Sequence, residues 1–530
     1  MTPTCLGTGR HREVEVPPPP RGVSLLPRGR RDLLGWLTCV LLLAAVVLSV
    51  VRAFGPMTYE GDIWRQSDTA TIAHNFFRNG MELLYPQINW GGSGPGYVET
   101  EFQLVPYLAA SLYHVFGEHA AIGRLVSLVF MIVGAAAFWG FARRVLPETV
   151  ARWSMIAFAL SPAFMRYGSA FMPDAAALAF YLLAVLAYQR WLTEDRRRWL
   201  VGTAAAVAMA ALVKPTSLHI LLVLLIWTAI VARRRLLRPG LYAAAVASLV
   251  PAAIWMWHAR GLYEEYGNTF GVLSGGDSKV GGLQYWLSSG FYLGNLTIEA
   301  TIVYGLAGVP LAILALVVAR RSVPAYVWAA LPSLVVFYFA VPRYSMALGP
   351  HYHLFSLPSA AILVGLGVTT AYGRLRALRP RRTVAALTAV GTVVAVAALG
   401  APSISVLRAS MVDTSGTYRS CATALDQVAR PGDLSIVATD SLAVEDGSPN
   451  NFQDPAIFYL ADRRGWVLAA DQQEPSRVRS YITQGAQYLV SPDPSIVTPS
   501  GTLGHWLDEH ATRVRSASAN GCDVWRLYQA

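Results

Sequence analysis

The chain has 530 residues, of which 54% are hydrophobic and only 14% charged, and its mean hydropathy is +0.40. Soluble domains carry about 25% charged residues, so an ordinary cytosolic enzyme is excluded, and 15 Trp, 24 Tyr and 19 Phe exclude a disordered chain. The net charge of +11 does not point to nucleic acid, because the basic residues are almost all Arg (Lys214 and Lys279 are the two lysines) and gather in short clusters between apolar runs. Such clusters are a topology signal rather than a polyanion-binding stripe.

Apolar runs predict a mainly α, polytopic membrane protein with about eleven transmembrane helices, at 34–51, 122–142, 153–171, 175–192, 199–213, 215–232, 240–258, 300–319, 323–341, 353–372 and 383–402. The first run is long enough to remain as a span rather than a cleaved signal. The tail 1–33 holds Arg10, Arg12, Arg21, Arg28, Arg30 and Arg31 and is expected in the cytoplasm, with its Pro17–Pro20 run extended and polar. Alternation from there places 24 basic against 6 acidic residues on the cytoplasmic side, and every Arg cluster falls inside. The segment 102–117, with Pro106, Tyr107, Tyr113 and His114, is apolar but short. It reads as an interfacial helix, since a span there would invert every later loop.

Three parts follow: a basic tail (1–33), a transmembrane domain (34–408) with a first outer loop at 52–121, and a small extracytoplasmic α/β domain (409–530). Strands are predicted at 433–440, 465–470, 486–491, 512–518 and 522–529, and helices at 417–429, 475–484 and 503–510. Cys421 and Cys522 bracket this domain and are the cysteines on the outer side, so a disulfide is expected there, the alternative being two small buried residues.

Candidate chemistry concentrates on the outer side. The first loop carries Glu60, Asp62, Asp68, Glu99 and Glu101, and Asp174 stands at an outer span end in FMPDAAALAF. A carboxylate at the membrane boundary is costly unless it works or is paired. By itself Asp68 reads as a helix-start residue, Glu101 as a cap of the interfacial helix or a ligand, and Asp174 as a cap or a functional acid. GGSGPG (91–96) has no strand before it and no Lys after it, so it reads as a flexible turn, not a nucleotide loop. Lys214, Arg343, His351 and Tyr352 offer cations and donors for a phosphate on the same side, and Arg260 is weaker. Each alone is more often structural, Lys214 as a snorkelling cap for example.

Together these motifs resemble the integral-membrane glycosyltransferases of the GT-C fold, nearest the bacterial relatives of the dolichyl-phosphate-mannose protein mannosyltransferases and the aminoarabinose lipid A transferases. The residues that carry the resemblance are Trp64-Arg65-Gln66 with Asp68-Thr69-Ala70, then Ile72 to Phe76, Glu101-Phe102, Arg124, Phe171-Met172-Pro173-Asp174 and His351-Tyr352-His353. The resemblance implies a polyprenyl-phosphate sugar donor, a lipid, glycan or protein acceptor, and an acidic first-loop residue as catalytic base. The adjacent Asp-Glu pair of better-known members is absent, and Arg65-Gln66 stands at roughly its place.

The expected activity is sugar transfer to an acceptor hydroxyl with inversion, on the outer face of a bacterial inner membrane. Asp68 is the first choice of base and Asp62 the second, with Glu101 and Asp174 as further candidates. Arg65, Lys214, Arg343, His351 and Tyr352 bind substrate and the leaving phosphate. Glu101 or Asp68 could also hold a divalent cation; no other cofactor and no nucleic acid is expected. Two rival classes are a transporter or flippase, which usually places charges inside the spans, and a non-catalytic protein of envelope polysaccharide assembly.

Overall fold

The computed structural model describes residues 23–30, 32–57, 63–273, 283–378, 381–442, 455–515 and 521–528. In chain order the helices are α1 (Leu33–Phe54), α2 (Ile63–Asn79), α3 (Leu104–Phe116), α4 (Ala120–Val145), α5 (Glu148–Ala159), α6 (Pro162–Tyr167), α7 (Asp174–Glu194), α8 (Arg197–Val213), α9 (Ile220–Val231) and α10 (Pro239–Tyr266). They continue with α11 (Leu283–Trp286), α12 (Ser289–Ile298), α13 (Gly308–Val318), α14 (Ala325–Ala340), α15 (Leu357–Leu378) and α16 (Arg381–Ser410). Each of the eleven expected spans falls on helix. By length and composition, six described helices can cross a membrane, or seven if the bent pair Ser289–Val303 and Gly308–Val318 is one span. The remaining expected spans fall on shorter helices, so the count of eleven does not follow from helix length. The chain is a multi-pass membrane protein.

Two predicted spans are broken, for local reasons. Segment 153–171 divides at Ser161-Pro162, where the serine side chain caps α6 and the proline occupies its first turn. Segment 300–319 bends by 104° where a π-helical turn over Glu299–Val303 runs into Gly305 and Leu306, both left-handed at φ 67° and 57°. α3 is a 13-residue helix, about 20 Å long and too short for a 30 Å hydrocarbon core.

The bundle is built around α7, which is 72% buried over its apolar window, whereas that of α16 is only 11% buried. Small residues bring neighbours close. A Cβ on Gly367 of α15 would lie 2.1 Å from the Leu311 carbonyl oxygen of α13, so glycine is what lets those two helices touch.

After α16 the chain forms α17 (Gly416–Val428), β1 (Leu434–Ala438), α18 (Pro455–Ala461), β2 (Arg464–Leu468), α19 (Pro475–Thr483), β3 (Ala486–Ser491), α20 (Thr502–His510), β4 (Ala511–Arg515) and β5 (Asp523–Leu527). The sheet order is β2-β1-β3-β5-β4, parallel through β2, β1 and β3 and antiparallel from β3 through β5 to β4. Alternate residues face opposite sides: Val437, Val467, Val490 and Val524 pack on α17 and α18, while Ile436, Leu468, Leu489 and Leu527 pack on α19 and α20. Cys421 and Cys522 form a disulfide across 101 residues, with Cα atoms 5.4 Å apart.

Candidate active site

Five separate segments meet at the end of the bundle where α2, α3 and the sheet lie. A cleft of about 110 Å³ is lined there by Trp64, Arg65, Glu101, Lys214, Thr216, Phe270, Tyr344, His351 and Tyr352, among others. It thus brings together Arg65, Glu101, Lys214, His351 and Tyr352 from the sequence-level candidates.

Lys214 ends α8 in an extended conformation and its Nζ donates to Asp174 Oδ1, the first residue of α7. Both side chains are enclosed, at 10% and 3% exposure, so Lys214 is a buried ion-pair partner and not a snorkelling cap. The helix dipole of α7 further favours a carboxylate at that position. The Lys214 ammonium also lies 4.6 Å from the centre of the Tyr352 ring, within cation–π range.

Arg65, in the first turn of α2, is ion-paired with Glu101 and lies 5.0 Å from the Phe270 ring centre. Burial pulls its guanidinium below the usual value, and the negative charges of Asp68 and Asp174 oppose that. Glu101 does not cap α3, whose cap position is Gln103; its second oxygen accepts from Thr100 Oγ1 at 3.0 Å. The backbone around it is pinned from two sides, by Phe102 N on Leu212 O at 3.0 Å and Trp255 Nε1 on Thr100 O at 2.9 Å. Glu99 is turned away, accepting from Thr269 Oγ1 at 3.0 Å and Leu273 N at 2.8 Å, and so anchors a neighbouring loop.

Asp68 differs from expectation. α2 begins at Ile63, so Asp68 sits in the helix body rather than at its start. It is wholly enclosed, accepts from Trp90 Nε1 at 2.9 Å, and is not among the lining residues of the cleft. Asp62 and Glu60 lie outside the described residues. Arg343 is half-buried beside Tyr344 without lining the cleft, and Arg260 is exposed and paired with Glu264.

Among the buried polar atoms without a hydrogen-bond partner among the described residues are His351 Nδ1 and Thr216 Oγ1, both of cleft-lining residues, and Asp174 Oδ2. An enclosed polar atom left unmade costs about 1–3 kcal/mol, so such atoms beside a cleft mark where a ligand's polar groups would sit. No group of three or more His, Cys, Asp or Glu among the described residues could hold a metal ion. The Glu101 oxygens face Arg65 and Thr100, and Asp68 Oδ1 faces Trp90.

Several residues that order the site are not among the candidate catalytic or binding residues, Gln66 and Arg124 having entered the sequence reading only through the resemblance. Gln66 donates from Nε2 to Met57 O at 2.8 Å and accepts at Oε1 from Phe171 N at 3.0 Å, tying the Trp64-Arg65-Gln66 run to the loop that ends at Asp174. Arg124 donates to the carbonyls of Gly55, Pro56 and Ser169 at 2.7, 3.0 and 3.2 Å, fixing the chain as it leaves α1. Glu299, at the bend of the broken span, accepts from Tyr338 at 2.5 Å, His353 at 2.8 Å and Ser356 at 3.0 Å. That network holds the turn bearing His351 and Tyr352. Its only trace in the sequence is a carboxylate at the edge of an apolar run.

A family model described as dolichyl-phosphate-mannose-protein mannosyltransferase matches residues 103–257. No curated protein matches the chain. Among solved structures, ArnT from Cupriavidus metallidurans, apo and bound to undecaprenyl phosphate, is similar at TM-score 0.63 and 16% identity. That similarity covers 93% of this chain and 97% and 98% of the two ArnT chains. The archaeal oligosaccharyltransferase AglB from Archaeoglobus fulgidus, in complex with an inhibitory peptide and a dolichol-phosphate, is similar at TM-score 0.54 and 12% identity, over 93% of this chain and 74% of its own. The chain therefore has the GT-C fold, and it is similar to the superfamily that contains ArnT and the protein mannosyltransferases.

Proposed function

We propose that this chain is a membrane glycosyltransferase that moves a sugar from a polyprenyl-phosphate donor to an acceptor hydroxyl on the extracytoplasmic side, inverting the anomeric centre. The observation that carries this reading is the cleft itself, where Arg65 and Lys214, each beside a carboxylate, converge with His351, whose Nδ1 lacks a hydrogen-bond partner. The fold shared with ArnT, solved with undecaprenyl phosphate bound, supports the donor class.

The chemistry runs as one displacement. The acceptor oxygen attacks the anomeric carbon as the bond from that carbon to the phosphate oxygen breaks, and a carboxylate takes the acceptor's proton. The leaving group is a polyprenyl phosphate monoester, whose growing charge Arg65 and Lys214 stabilise and to which neutral His351, in the tautomer with its hydrogen on Nδ1, would donate. Because Asp174 and Glu101 already balance these cations, the phosphate competes with carboxylates rather than meeting bare charge. The base is a first-loop carboxylate. Asp68 and Asp62 are the candidates: Asp68 is enclosed and accepts from Trp90, and Asp62 lies outside the described residues.

The test is transfer in proteoliposomes supplied with labelled polyprenyl-phosphate sugars and a membrane extract, comparing wild type with Asp62→Asn and Asp68→Asn. Transfer by wild type and its loss in one folded variant alone assigns the base to that residue, and a wild type that consumes no lipid-linked sugar refutes the activity.

A further inference from the structure

The first outer loop and the C-terminal unit share one hydrophobic core, in which Ile72 and Phe76 of α2 and Ile88, Trp90 and Val98 of the loop pack with Val437, Val467 and Val524 of the sheet. The backbone joins them as well. Gly92 N donates to Gly465 O at 2.7 Å and Gly465 N to Asn89 O at 3.0 Å, so residues 89–92 run alongside β2, the edge strand of the sheet. Arg464 donates to the Gly94 carbonyl. Glycine is required at 465: its φ is +153°, and a Cβ there would lie 1.7 Å from Ser435 O. From the other side Asn75 of α2 donates to Gln87 O at 2.9 Å and Asn89 Oδ1 at 3.0 Å. The glycine-rich turn is thus a docking segment.

Trp90 stands in the middle of that segment and is nearly enclosed. Its indole N–H donates to Asp68 Oδ1 at 2.9 Å, and its ring lies 6.0 Å from that of Phe270. Both partners act on Arg65. Asp68 is one helical turn along α2 and its charge supports the guanidinium, while the Phe270 ring packs against it.

We propose that Trp90 is a positioning residue for Arg65, held in place by the edge strand of the C-terminal sheet, so that the C-terminal unit is a working part of the phosphate site rather than a separate binding module. The inference rests on the reading above that Arg65 meets the donor phosphate. Without the indole N–H, the enclosed Asp68 carboxylate loses one charge-stabilising donor. Its charge, which already acts on Arg65, then draws the guanidinium towards it and away from the cleft.

The test is binding of undecaprenyl phosphate to the detergent-solubilised full chain by calorimetry, for wild type, Trp90→Phe, Arg65→Lys and the double variant. Phenylalanine keeps the ring beside Phe270 and removes only the N–H. Each single variant is expected to bind roughly tenfold more weakly, the loss of one hydrogen bond to a charged group, and the double variant no more weakly than Arg65→Lys alone. Unchanged affinity in Trp90→Phe, or additive losses in the double variant, overturns the inference. Asn75→Ala, which loosens the same segment from α2, replaces Trp90→Phe if that variant does not fold, with the same non-additivity expected. A wild type that does not bind, or an Arg65→Lys variant that binds as wild type does, instead overturns the phosphate reading and the inference with it.

Discussion

Lys214→Met separates the two duties assigned to Lys214. The side chains of Lys214 and Asp174 are almost wholly enclosed, so methionine fills the space of the lysine stem and strands a carboxylate with no cation in contact. Removing one member of a buried pair typically costs about 3–5 kcal/mol, whereas replacing both by apolar residues is often neutral or stabilising. The single variant should therefore unfold at a clearly lower temperature, and Lys214→Met with Asp174→Leu should recover most of that loss. Activity should not follow stability. If the ammonium stabilises the leaving phosphate, both variants stay at least about a hundredfold below wild type, the usual cost of deleting one such electrostatic group. Thermal unfolding in detergent, followed by tryptophan fluorescence, reads the first quantity, and donor consumption in proteoliposomes reads the second. A double variant that regains transfer along with stability would refute the catalytic role and leave the pair a structural one. A single variant as stable as wild type would refute the burial argument.

Further outcomes follow from other contacts. His74 on α2 touches Glu118 at 2.6 Å and Asp462 at 3.0 Å; burial disfavours its charge, but the hydrogen bonds to these carboxylates outweigh that and raise its pKa to about 9. Raised above the ordinary histidine value, it gives stability that is complete below about pH 6.5 and fades as pH rises through 9. Limited proteolysis at pH 7 and 10 should show release of the C-terminal unit at the higher pH in wild type, and little pH dependence in His74→Gln. Reducing the Cys421–Cys522 disulfide opens a loop of 101 residues and should cost about 4–5 kcal/mol by loop entropy, read as a fall in unfolding temperature with reductant that Cys39→Ser does not alter. Gln66→Ala removes the bonds to Met57 and Phe171 and should lower transfer about tenfold while leaving the unfolding temperature within a few degrees, because those bonds orient a loop rather than fill the core.

Much of the C-terminal fold is legible in the sequence, because its strands alternate between two buried faces and its helices are amphipathic. The predicted 433–440, 486–491 and 503–510 fall on β1, β3 and α20. α18 has no counterpart in the sequence reading, since seven residues, PAIFYLA, are too few to display a helical period. The disulfide is legible for a different reason: the expected topology and the cysteine count leave one pair on the side expected to be outer. In the membrane part, hydropathy locates the helices but not their breaks. The bend at Glu299–Gly308 depends on a π-turn and two left-handed residues, and nothing in an apolar run announces these.

The site is legible as residue types and not as partnerships. Arg65 with Glu101, Lys214 with Asp174 and Gln66 with Phe171 are 36, 40 and 105 residues apart, and no periodicity links positions at such separations. Asp68 illustrates the cost. Its companions in sequence, Trp64 and Arg65, line the cleft, but α2 starts at Ile63 and turns Asp68 inward to Trp90. Three residues along a helix rotate a side chain by about 300°, so proximity in sequence carries little information on which face a helical carboxylate takes.

The division of labour in the molecule follows from where packing is dense. α7 is, after the span Pro350–Ala377, the most enclosed of the membrane-length helices, and its first residue, Asp174, is ion-paired with Lys214, so one edge of the cleft is referred to the densely packed part of the bundle. The opposite edge, Arg65 and Glu101, stands on α2 and the strand-like segment 99–102, whose attachments run outward: to α8 and α10 through Leu212 and Trp255, and to the C-terminal sheet through Trp90 and Gly465. Under the proposed function, a long lipid-linked donor would enter and leave between such edges. An arrangement in which one cation is fixed to the bundle and the other is carried by an outer layer allows that passage, because the outer layer can shift without disturbing the buried Asp174–Lys214 pair. Substitutions that loosen the outer layer, such as Asn75→Ala, should then change donor affinity and release before they change the unfolding temperature of the bundle. Substitutions on α7 should do the reverse.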